Sequence, residues 1–516
     1  MANADIDAIR RYHEHTKHSV ARLQTSQHFL DWEIQPRPFK IYPTLEPIPL
    51  PRDWPDSSAP ALEAIVSPGE PPGTDVVPDL TALARLLHFS AGITRRKVHP
   101  GGHEMHFRAA ACTGALYHID LYLVCGALPG LEAGVYHFGP HDFSLRRLRA
   151  GDYRSLIIEA TAAEPAVCTA PAIFVCTSTF WRNAWKYQSR AYRHCFWDNG
   201  TILANLLAVA AADRIPLRVV LGFVDETINH LLGLDTEREA ALSLVAVGHQ
   251  SGGTLPPAPP APRLVLDTLP LSTREVDYPA IRAAHSASSL ASSDEVRAWR
   301  RALPADEPAP AAGQTFALPA VSPSPCDTID QAISRRGSSR QFSDRAISLE
   351  QLSLLVRGAT DGIPADFLGA RGGSSSPHED RRHLADLFLI VHAVEGLPPG
   401  TYRYRRREGT LELLRGGSLR REAGFLGLGQ DLPADAAVNC YFLCDLDPVL
   451  DHFGNRGYRA AQLEAAIAGG KLYLAAYALG LGATGLTFFD DEVTEFFSPQ
   501  ASGASVMFLV ATGVPD

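Results

Sequence analysis

The stretch AWKYQSRAYRHCFWDNG, residues 184–200, places Lys186 directly beside Tyr187, just ahead of a long apolar segment. A lysine and a tyrosine side by side can transfer protons, because a nearby cation favours phenolate and desolvation lowers the pKa of a lysine amine. The same pair also fits a polar loop in which the lysine keeps its charged end in solvent. Neighbours on an extended chain point to opposite sides, so joint action requires the chain to turn here.

A basic stretch, RRGSSRQF at 335–342, offers a second kind of chemistry. Arg336, Ser338 and Arg340 supply fixed cations and a hydroxyl donor, which suit a phosphate group, and Gly337 lies between them. The alternative is a basic helix end that is favoured by the helix dipole.

Two glycine-containing segments are candidates for close approach to a flat ligand. Gly485, followed by Leu486, ends the run GATG, and Gly114 follows Cys112 and Thr113. Glycine has no Cβ, so the backbone amides at such places can approach a ligand ring. Cys112 is read either as a ligand contact or simply as a small residue.

The totals exclude several classes of protein. A net charge of −10 and a pI near 6.0 argue against nucleic-acid binding, which usually requires a basic face. The eight cysteines include no CxxC pair, and no apolar segment at the amino terminus or elsewhere suggests a signal peptide or a membrane span. We therefore expect a cytoplasmic protein with no membrane partner.

One histidine-rich stretch, HPGGHEMHFR at 99–108, has metal-ligand residue types but no HExxH spacing. The Gly-Gly pair predicts a solvated loop near the substrate entrance rather than a metal site. His103 and His106 could still contact substrate there.

The chain contains an internal duplication. Residues 253–325 are rich in Pro, Ala and Ser, as in linkers, with a possible helix at SSDEVRAWRRAL. The flanking parts match at a fixed offset of 266, which indicates a repeat. The matches pair DLYLV (120–124) with DLFLI (386–390), RAYR (190–193) with RGYR (456–459), and FVDE (223–226) with FDDE (489–492). We divide the chain into a leader (1–45), a first domain (46–252), a linker (253–325) and a second domain (326–516).

Each repeat has the pattern helix, strand, hairpin, strand, helix, strand. Asp79 and Ser348 are predicted N-caps, the latter with Gln351 in a capping box. The helices in 199–212 and 465–480 are apolar on nearly every face, which is typical of a helix buried at an interface. The prediction is an α+β fold whose two domains pack as an intramolecular pseudo-dimer.

These motifs together resemble the nitroreductase-like flavoproteins, in particular the SagB-type, or thiazoline-oxidase-type, dehydrogenases. The resemblance rests on YHEHTKHS (12–19), TGALYHIDLYLV (113–124), RRGSSRQF (335–342) and YALGLGATGLTFFDDE (477–492), and it runs through nearly the whole chain outside the linker. It implies bound FMN in a site built where two such domains meet. It also implies a catalytic role for Lys186 and Tyr187 in azoline oxidation.

The repeat comparison predicts one FMN site per chain. In this region the repeat offset is 269, and the positions equivalent to Arg336, Ser338 and Arg340 are Ser67, Gly69 and Pro71, which lack the cations. At the offset of 266, Val219 replaces Gly485. The second domain therefore supplies the phosphate and ring contacts, with Gly337 and Leu486 beside them. The first domain closes the site with Cys112, Thr113, Gly114 and the Lys186-Tyr187 pair. The counterparts of that pair, His452 and Phe453, belong to a second site that holds no flavin.

Three functions remain open at this point. The first is an FMN-dependent dehydrogenase that oxidises an azoline or another amino-acid-derived group on a small molecule, peptide or carrier, with or without a biosynthetic partner enzyme. The second is an NAD(P)H-dependent nitro- or quinone reductase. The third is a non-catalytic scaffold that binds a peptide or partner enzyme. A monomer with internal pseudo-dimer symmetry and a higher homo-oligomer are both compatible with the sequence.

Overall fold

Two seven-stranded antiparallel sheets frame the molecule, one in each repeat. The computed structural model describes residues 2–67, 74–99, 104–252, 255–300, 310–320, 326–369 and 383–516. The strands of the first sheet are β1 Pro47–Pro49, β4 Ile119–Cys125, β5 Gly134–Gly139, β6 Ser144–Ala150, β7 Ala172–Thr179, β8 Leu217–Val220 and β9 Glu239–Val247. The strands of the second sheet are β10 Thr315–Ala317, β11 Asp386–Val391, β12 Gly400–Arg405, β13 Thr410–Gly416, β14 Val438–Asp445, β15 Gly482–Gly485 and β16 Ala504–Gly513. The first sheet has the order β1-β6-β5-β4-β7-β9-β8 and the second the order β10-β13-β12-β11-β14-β16-β15. A separate hairpin joins β2 Ile93–Val98 to β3 Glu104–Arg108.

Helices cover the sheets and fill the space between them. The amino-terminal segment and first domain contain α1 Asp7–His15, α2 Val20–Thr25, α3 Ala61–Val66, α4 Leu80–Ala91, α5 Arg154–Ala160, α6 Pro165–Thr169, α7 Phe180–Tyr187, α8 Ala191–Ala212 and α9 Asp225–Leu232. The linker contains α10 Pro279–Ala287 and α11 Ser293–Trp299. The second domain contains α12 Ile329–Arg335, α13 Leu349–Thr360, α14 Arg420–Leu426, α15 Leu432–Asp435, α16 Leu446–Phe453, α17 Arg456–Ala478 and α18 Asp490–Phe497. Both predicted caps are present: the Asp79 side chain accepts from the Ala82 amide, and Ser348 and Gln351 form a reciprocal capping box.

The duplication extends to irregularities of the sheets. A register shift between Val135 and Tyr136 recurs between Thr401 and Tyr402, 266 residues later. Another shift, between Cys176 and Thr177, recurs between Phe442 and Leu443 at the same offset. Because a β-bulge is a specific feature of a strand pair, its recurrence confirms that both domains have one fold.

Helices α8 and α17 cross at the centre of the interface between the domains. A Cβ added at Gly200 would lie 2.4 Å from Cβ of Ala466, and one at Gly470 would lie 2.6 Å from Cβ of Ala204. Gly200 and Ala466 are equivalent positions of the repeat, as are Ala204 and Gly470, so each residue meets its own counterpart. That is the contact pattern of an isologous interface, here within one chain. The predicted intramolecular pseudo-dimer is confirmed.

Four buried arginines tie the domains together across this interface. Asp490 of the second domain accepts from Arg190 and Arg193 of the first, at 2.9 and 2.6 Å. Reciprocally, Asp225 of the first domain accepts from Arg456 and Arg459, at 2.6 and 2.8 Å. The repeated motifs RAYR/RGYR and FVDE/FDDE therefore contact each other.

The apolar stretch Phe180–Ala212 has the length and hydropathy of a membrane span, the only such stretch in the described part of the chain, but 89% of its window is buried inside the protein. It belongs to the interface between the domains.

The leader and linker pack on the two domains. In the leader, Tyr12 and His13 of α1 are buried, and His13 lies between the hydroxyls of Tyr458 and Ser505. In the linker, α11 covers the predicted helical segment. Strand β10 pairs with β13, so the second sheet begins upstream of residue 326.

Candidate active site at the domain interface

The stretch of residues 184–200, which contains Lys186 and Tyr187, is helical almost throughout. Lys186 and Tyr187 are the last residues of α7, and the helix ends because Gln188 adopts a left-handed conformation with φ of +50°. A turn at this place is what joint action of the pair requires. The Lys186 amine lies 5.4 Å from the centroid of the Tyr187 ring, in cation–π geometry. The two side chains therefore share one face rather than pointing apart.

The Tyr187 side chain reaches the glycine turn of the first domain. Its ring meets the His194 ring edge-on, with centroids 4.5 Å apart. A Cβ at Gly114 would lie 2.8 Å from the Tyr187 hydroxyl oxygen, so the hydroxyl rests against the glycine backbone. Within the described part of the chain, this hydroxyl makes no hydrogen bond, which leaves it free to contact a ligand.

The protonation of Tyr187 differs from the sequence-based expectation. Burial raises the pKa of the Tyr187 hydroxyl well above its ordinary value, and the nearby Asp198 and Cys112 raise it further. The lysine lies over the ring, whereas the acidic groups are close to the hydroxyl. The expectation that a neighbouring cation would favour phenolate is therefore wrong, and Tyr187 is a hydrogen-bond donor at neutral pH.

Asp198 of α8 accepts hydrogen bonds from the turn that carries Cys112, Thr113 and Gly114. One carboxylate oxygen accepts from the Thr113 amide at 2.8 Å and from the Thr113 hydroxyl at 2.7 Å. The other accepts from the Cys112 thiol at 2.9 Å. Gly114 has φ of +63°, a left-handed conformation that favours glycine.

The second domain brings its cations to the same interface. The Arg336 guanidinium donates to the backbone carbonyls of Arg108 and Ala109, at 2.9 and 2.8 Å, and so joins the domains at the base of the β2–β3 hairpin. Ser338 and Arg340 are exposed, and the Arg340 side chain has no partner among the residues that the structure describes. Arg336 therefore already has partners, whereas Arg340 is free to meet an anion.

The glycine segment of the second domain contacts the loop that carries these cations, since the Ser339 amide donates to the Ala483 carbonyl at 3.0 Å. The Gly485 amide donates to the Tyr473 hydroxyl, and the same hydroxyl bonds Ser338. The Leu486 amide donates to the Leu509 carbonyl at 3.1 Å. Tyr473 thus links the predicted phosphate-binding loop to the predicted ring-binding segment.

An aromatic row connects the contributions of the two domains. The His194 ring stacks on Trp197 with centroids 4.7 Å apart, and Trp197 meets Phe488, two residues beyond Leu486, at 5.8 Å. Aromatic side chains of the two domains therefore pack in one row across the interface.

The equivalent region on the other side of the pseudo-twofold axis is filled by the chain itself. Val219, the counterpart of Gly485, donates its amide to the Pro364 carbonyl at 2.8 Å. Phe453, the counterpart of Tyr187, is buried against Trp299 of the linker helix α11, with ring centroids 5.2 Å apart. The Asp366 carboxylate accepts the next free amides, those of Leu221 and Gly222. Of the residues equivalent to the cations, Ser67 ends α3, and Gly69 and Pro71 lie outside the described residues.

The histidine-rich stretch is a hairpin rather than a loop in its described part. His106 lies on β3, where its ring nitrogen is 3.3 Å from a Glu104 oxygen, and His103 lies outside the described residues. Across the described ranges, no group of three or more His, Cys, Asp or Glu residues could hold a metal ion.

The comparisons with known proteins agree with this architecture. Residues 333–513, which make up most of the second domain, match the sequence model of the nitroreductase family. A candidate nitroreductase of Methanocaldococcus jannaschii is 23% identical over 171 residues, which are 33% of this chain and 81% of that protein.

Solved structures extend the likeness to the whole chain. A candidate nitroreductase from Anabaena variabilis is 25% identical, with a TM-score of 0.76, over 99% of both chains. Another from Ralstonia eutropha is 22% identical, with a TM-score of 0.30, over 42% of this chain and 98% of its own. The likeness over 99% of both chains shows that this chain has a nitroreductase-like fold, with two such domains in tandem.

Sequence reasoning missed three residues that organise this region: Asp198, His194 and Tyr473. Asp198 and His194 lie in the run RHCFWDNG, residues 193–200, which is part of the buried helix α8. An acid in an apolar helix is a usable signal, since buried carboxylates are normally paired. Tyr473 carried no such signal, because a tyrosine in an apolar helix is ordinary core.

Proposed function

We propose that the chain is an FMN-dependent dehydrogenase that oxidises an azoline or a related amino-acid-derived group. The observation that carries this proposal is the position of Tyr187 against Gly114, with Lys186 over the Tyr187 ring, on the side of the pseudo-twofold axis where Arg340 and Ser338 are exposed. The opposite side is filled and has Phe453 and His452 instead. The choice of azoline chemistry rests on the resemblance to the SagB-type dehydrogenases.

The residues on this side fit a flavin mononucleotide. Arg340 and Ser338 would hold its phosphate, with Arg336 exchanging a carbonyl partner for it. The space beside Gly337 is open, since a Cβ there would meet only the Tyr477 hydroxyl at 3.5 Å. Gly485, Leu486 and the Cys112–Gly114 turn would border the ring, and Thr487 has a buried hydroxyl without a partner among the described residues.

The chemistry of the substrate assigns the two catalytic residues. Oxidising an azoline to an azole removes one proton from carbon and one hydride, and bound FMN supplies the hydride acceptor. Tyr187 remains protonated, so it orients the substrate by donating a hydrogen bond. That leaves Lys186 as the residue proposed to take the carbon-bound proton.

A nitro- or quinone reductase is the second candidate, and the family match of residues 333–513 favours it. In that case electrons enter from NAD(P)H, and Lys186 has no proton to abstract from carbon.

We further propose that the protein works in the cytoplasm, since all eight cysteines are free thiols. We also propose that its substrate is a peptide or a carrier-bound group delivered by a partner enzyme.

The test begins with flavin content and then separates the two candidates. The purified chain should bind close to one FMN, because the second region is filled. Lys186→Ala should keep its flavin, yet its bleaching by an azoline substrate without oxygen should slow by about a hundred- to ten-thousandfold. Tyr187→Phe should slow it less. His452→Ala is the matched control and should bleach normally. Phe453→Ala is unsuitable, because Phe453 is core.

Three outcomes contradict the proposal. Two FMN per chain would show that the second region is open, and no FMN would leave a non-catalytic scaffold. Rapid bleaching by NAD(P)H, equal in wild type and Lys186→Ala, with none by azolines, would establish the reductase.

A further inference from the structure

A buried polar chain lies beneath the candidate site and has no role in the proposed chemistry. It runs from the Cys195 thiol to the Ser178 hydroxyl at 3.3 Å, from Ser178 to His118 at 2.7 Å, and from His118 to Asp198 at 2.8 Å. Ser178 and His118 are fully buried, and Asp198 is 3% exposed. Burying so many polar groups is costly unless each finds a partner, so the arrangement needs a physical reason.

This hydrogen-bonded series of side chains ends at the Cys112–Gly114 turn of the candidate site. With His118 donating to it, the Asp198 carboxylate accepts four hydrogen bonds, three of which come from Cys112 and Thr113. Gly114 follows directly, and the Tyr187 hydroxyl rests on it. A shift of the turn would therefore move the surface on which Tyr187 lies.

The repeat provides an internal comparison. The counterparts of Ser178, His118 and Asp198 are Cys444, Leu384 and Glu464. Glu464 is also buried, but among the described residues it accepts hydrogen bonds only from backbone amides, those of Leu384 and Ala385, at 2.6 and 3.1 Å. The second domain keeps an acid at this place and lacks the histidine and the hydroxyl. The residues of the full polar series are thus present only on the side that carries the Lys186-Tyr187 pair.

We propose that Asp198, oriented by His118, is a positioning residue of this site: it holds the Cys112–Gly114 turn in the conformation that borders the flavin and supports Tyr187. This rests on the proposed function for its link to FMN, whereas the anchoring of the turn stands apart from it. Asp198 contacts neither the proposed substrate nor Lys186, so it acts through the turn.

The Cys112 thiol reports on the turn without any flavin. Burial raises the pKa of this thiol well above its ordinary value, and the Asp198 carboxylate raises it further. Asp198→Asn removes the negative charge and replaces one acceptor oxygen by an amide NH2, so more thiolate should form. A hydrogen bond to a charged group contributes about 1.5–3 kcal/mol, which corresponds to a roughly ten- to hundredfold change.

The experiment measures alkylation of Cys112 by iodoacetamide in flavin-free protein, with peptide mapping by mass spectrometry. Asp198→Asn should react about ten- to a hundredfold faster at Cys112 than wild type, while the exposed Cys168 reacts equally in both. Glu464→Gln is the matched control and should leave Cys112 unchanged. His118→Leu, which copies the second domain, should change Cys112 in the same direction by less, and it carries the test if Asp198→Asn does not fold.

FMN titration of the same proteins then tests the bearing on the site. Asp198→Asn should bind FMN at least about tenfold more weakly, and the visible circular dichroism of its bound flavin should change, with neither effect in Glu464→Gln. Unchanged Cys112 reactivity in both Asp198→Asn and His118→Leu would overturn the proposal. So would a reactive Cys112 with normal FMN affinity and spectrum. If wild type binds no FMN, the proposed function fails, and the thiol result still decides whether Asp198 anchors the turn.

Discussion

The ion pairs across the domain interface predict how much of the stability depends on one carboxylate. Asp490→Asn removes the negative charge that Arg190 and Arg193 share, and both guanidinium groups are nearly fully buried, at 4% and 0% side-chain exposure. Asp491 next to it is the matched control. Its carboxylate pairs with Lys17 at 2.8 Å but is 67% exposed.

The magnitude follows from burial. Removing one partner of a buried ion pair costs about 3–5 kcal/mol, because an uncompensated charge stays in the interior. An exposed pair contributes at most about 1 kcal/mol. Cooperative unfolding of 516 residues has an entropy of roughly 1.1 kcal/mol/K, so Asp490→Asn should lower Tm by about 3–5 °C. Asp491→Asn should lower it by about 1 °C or less.

Differential scanning calorimetry of the three proteins measures both values, and FMN titration after refolding checks that the interface is intact. If the domains unfold separately, the entropy per transition is halved, and the shift should double in one transition only. Equal Tm values for Asp490→Asn and Asp491→Asn would refute the reasoning, since burial would then have no energetic consequence here.

Three further predictions concern acid stability, the phosphate and the turn. Burial would raise the pKa of Asp490, but Arg190 and Arg193 hold this pKa below the unfolded value near 3.9. The Asp490 ion pairs therefore stabilise the folded protein fully above about pH 3.9, and this stabilisation is lost as the pH falls through the folded pKa. The stability gap between wild type and Asp490→Asn, measured in urea, should therefore narrow as pH is lowered from about 4 toward 2. Arg340→Ala should weaken FMN binding about ten- to a hundredfold by fluorescence titration, with Ser67→Ala unchanged; equal losses would show that the domains are assigned wrongly. Gly114→Ala should strain the backbone and displace Tyr187, lowering turnover at least about tenfold. Gly396→Ala, also at positive φ but with nothing within 4 Å, should cost only stability; the turn is unimportant if both variants turn over alike.

Local patterns in the sequence were sufficient for the fold and for many elements. The apolar runs IDLYLVC and AIFVCTST form the buried strands Ile119–Cys125 and Ala172–Thr179, because continuous apolar runs of this length have few alternatives. The capping box of Ser348 was equally predictable, since a cap depends on residues three apart. Matches at a constant offset also predicted the pseudo-dimer, because a repeated unit buries its apolar face on its own copy.

The tertiary structure alone decided the electrostatics of the site. Tyr187 is 11 residues from Asp198 in sequence, yet it is the fold of α7 and α8 that brings the carboxylate close enough to raise the tyrosine pKa. The sequence showed only the lysine beside it, which predicted the opposite shift. Likewise, the Arg336 guanidinium bonds carbonyls 227 and 228 residues away, a contact that no spacing rule indicates. Charge interactions depend on distance and burial in three dimensions, and neither is encoded in a local pattern.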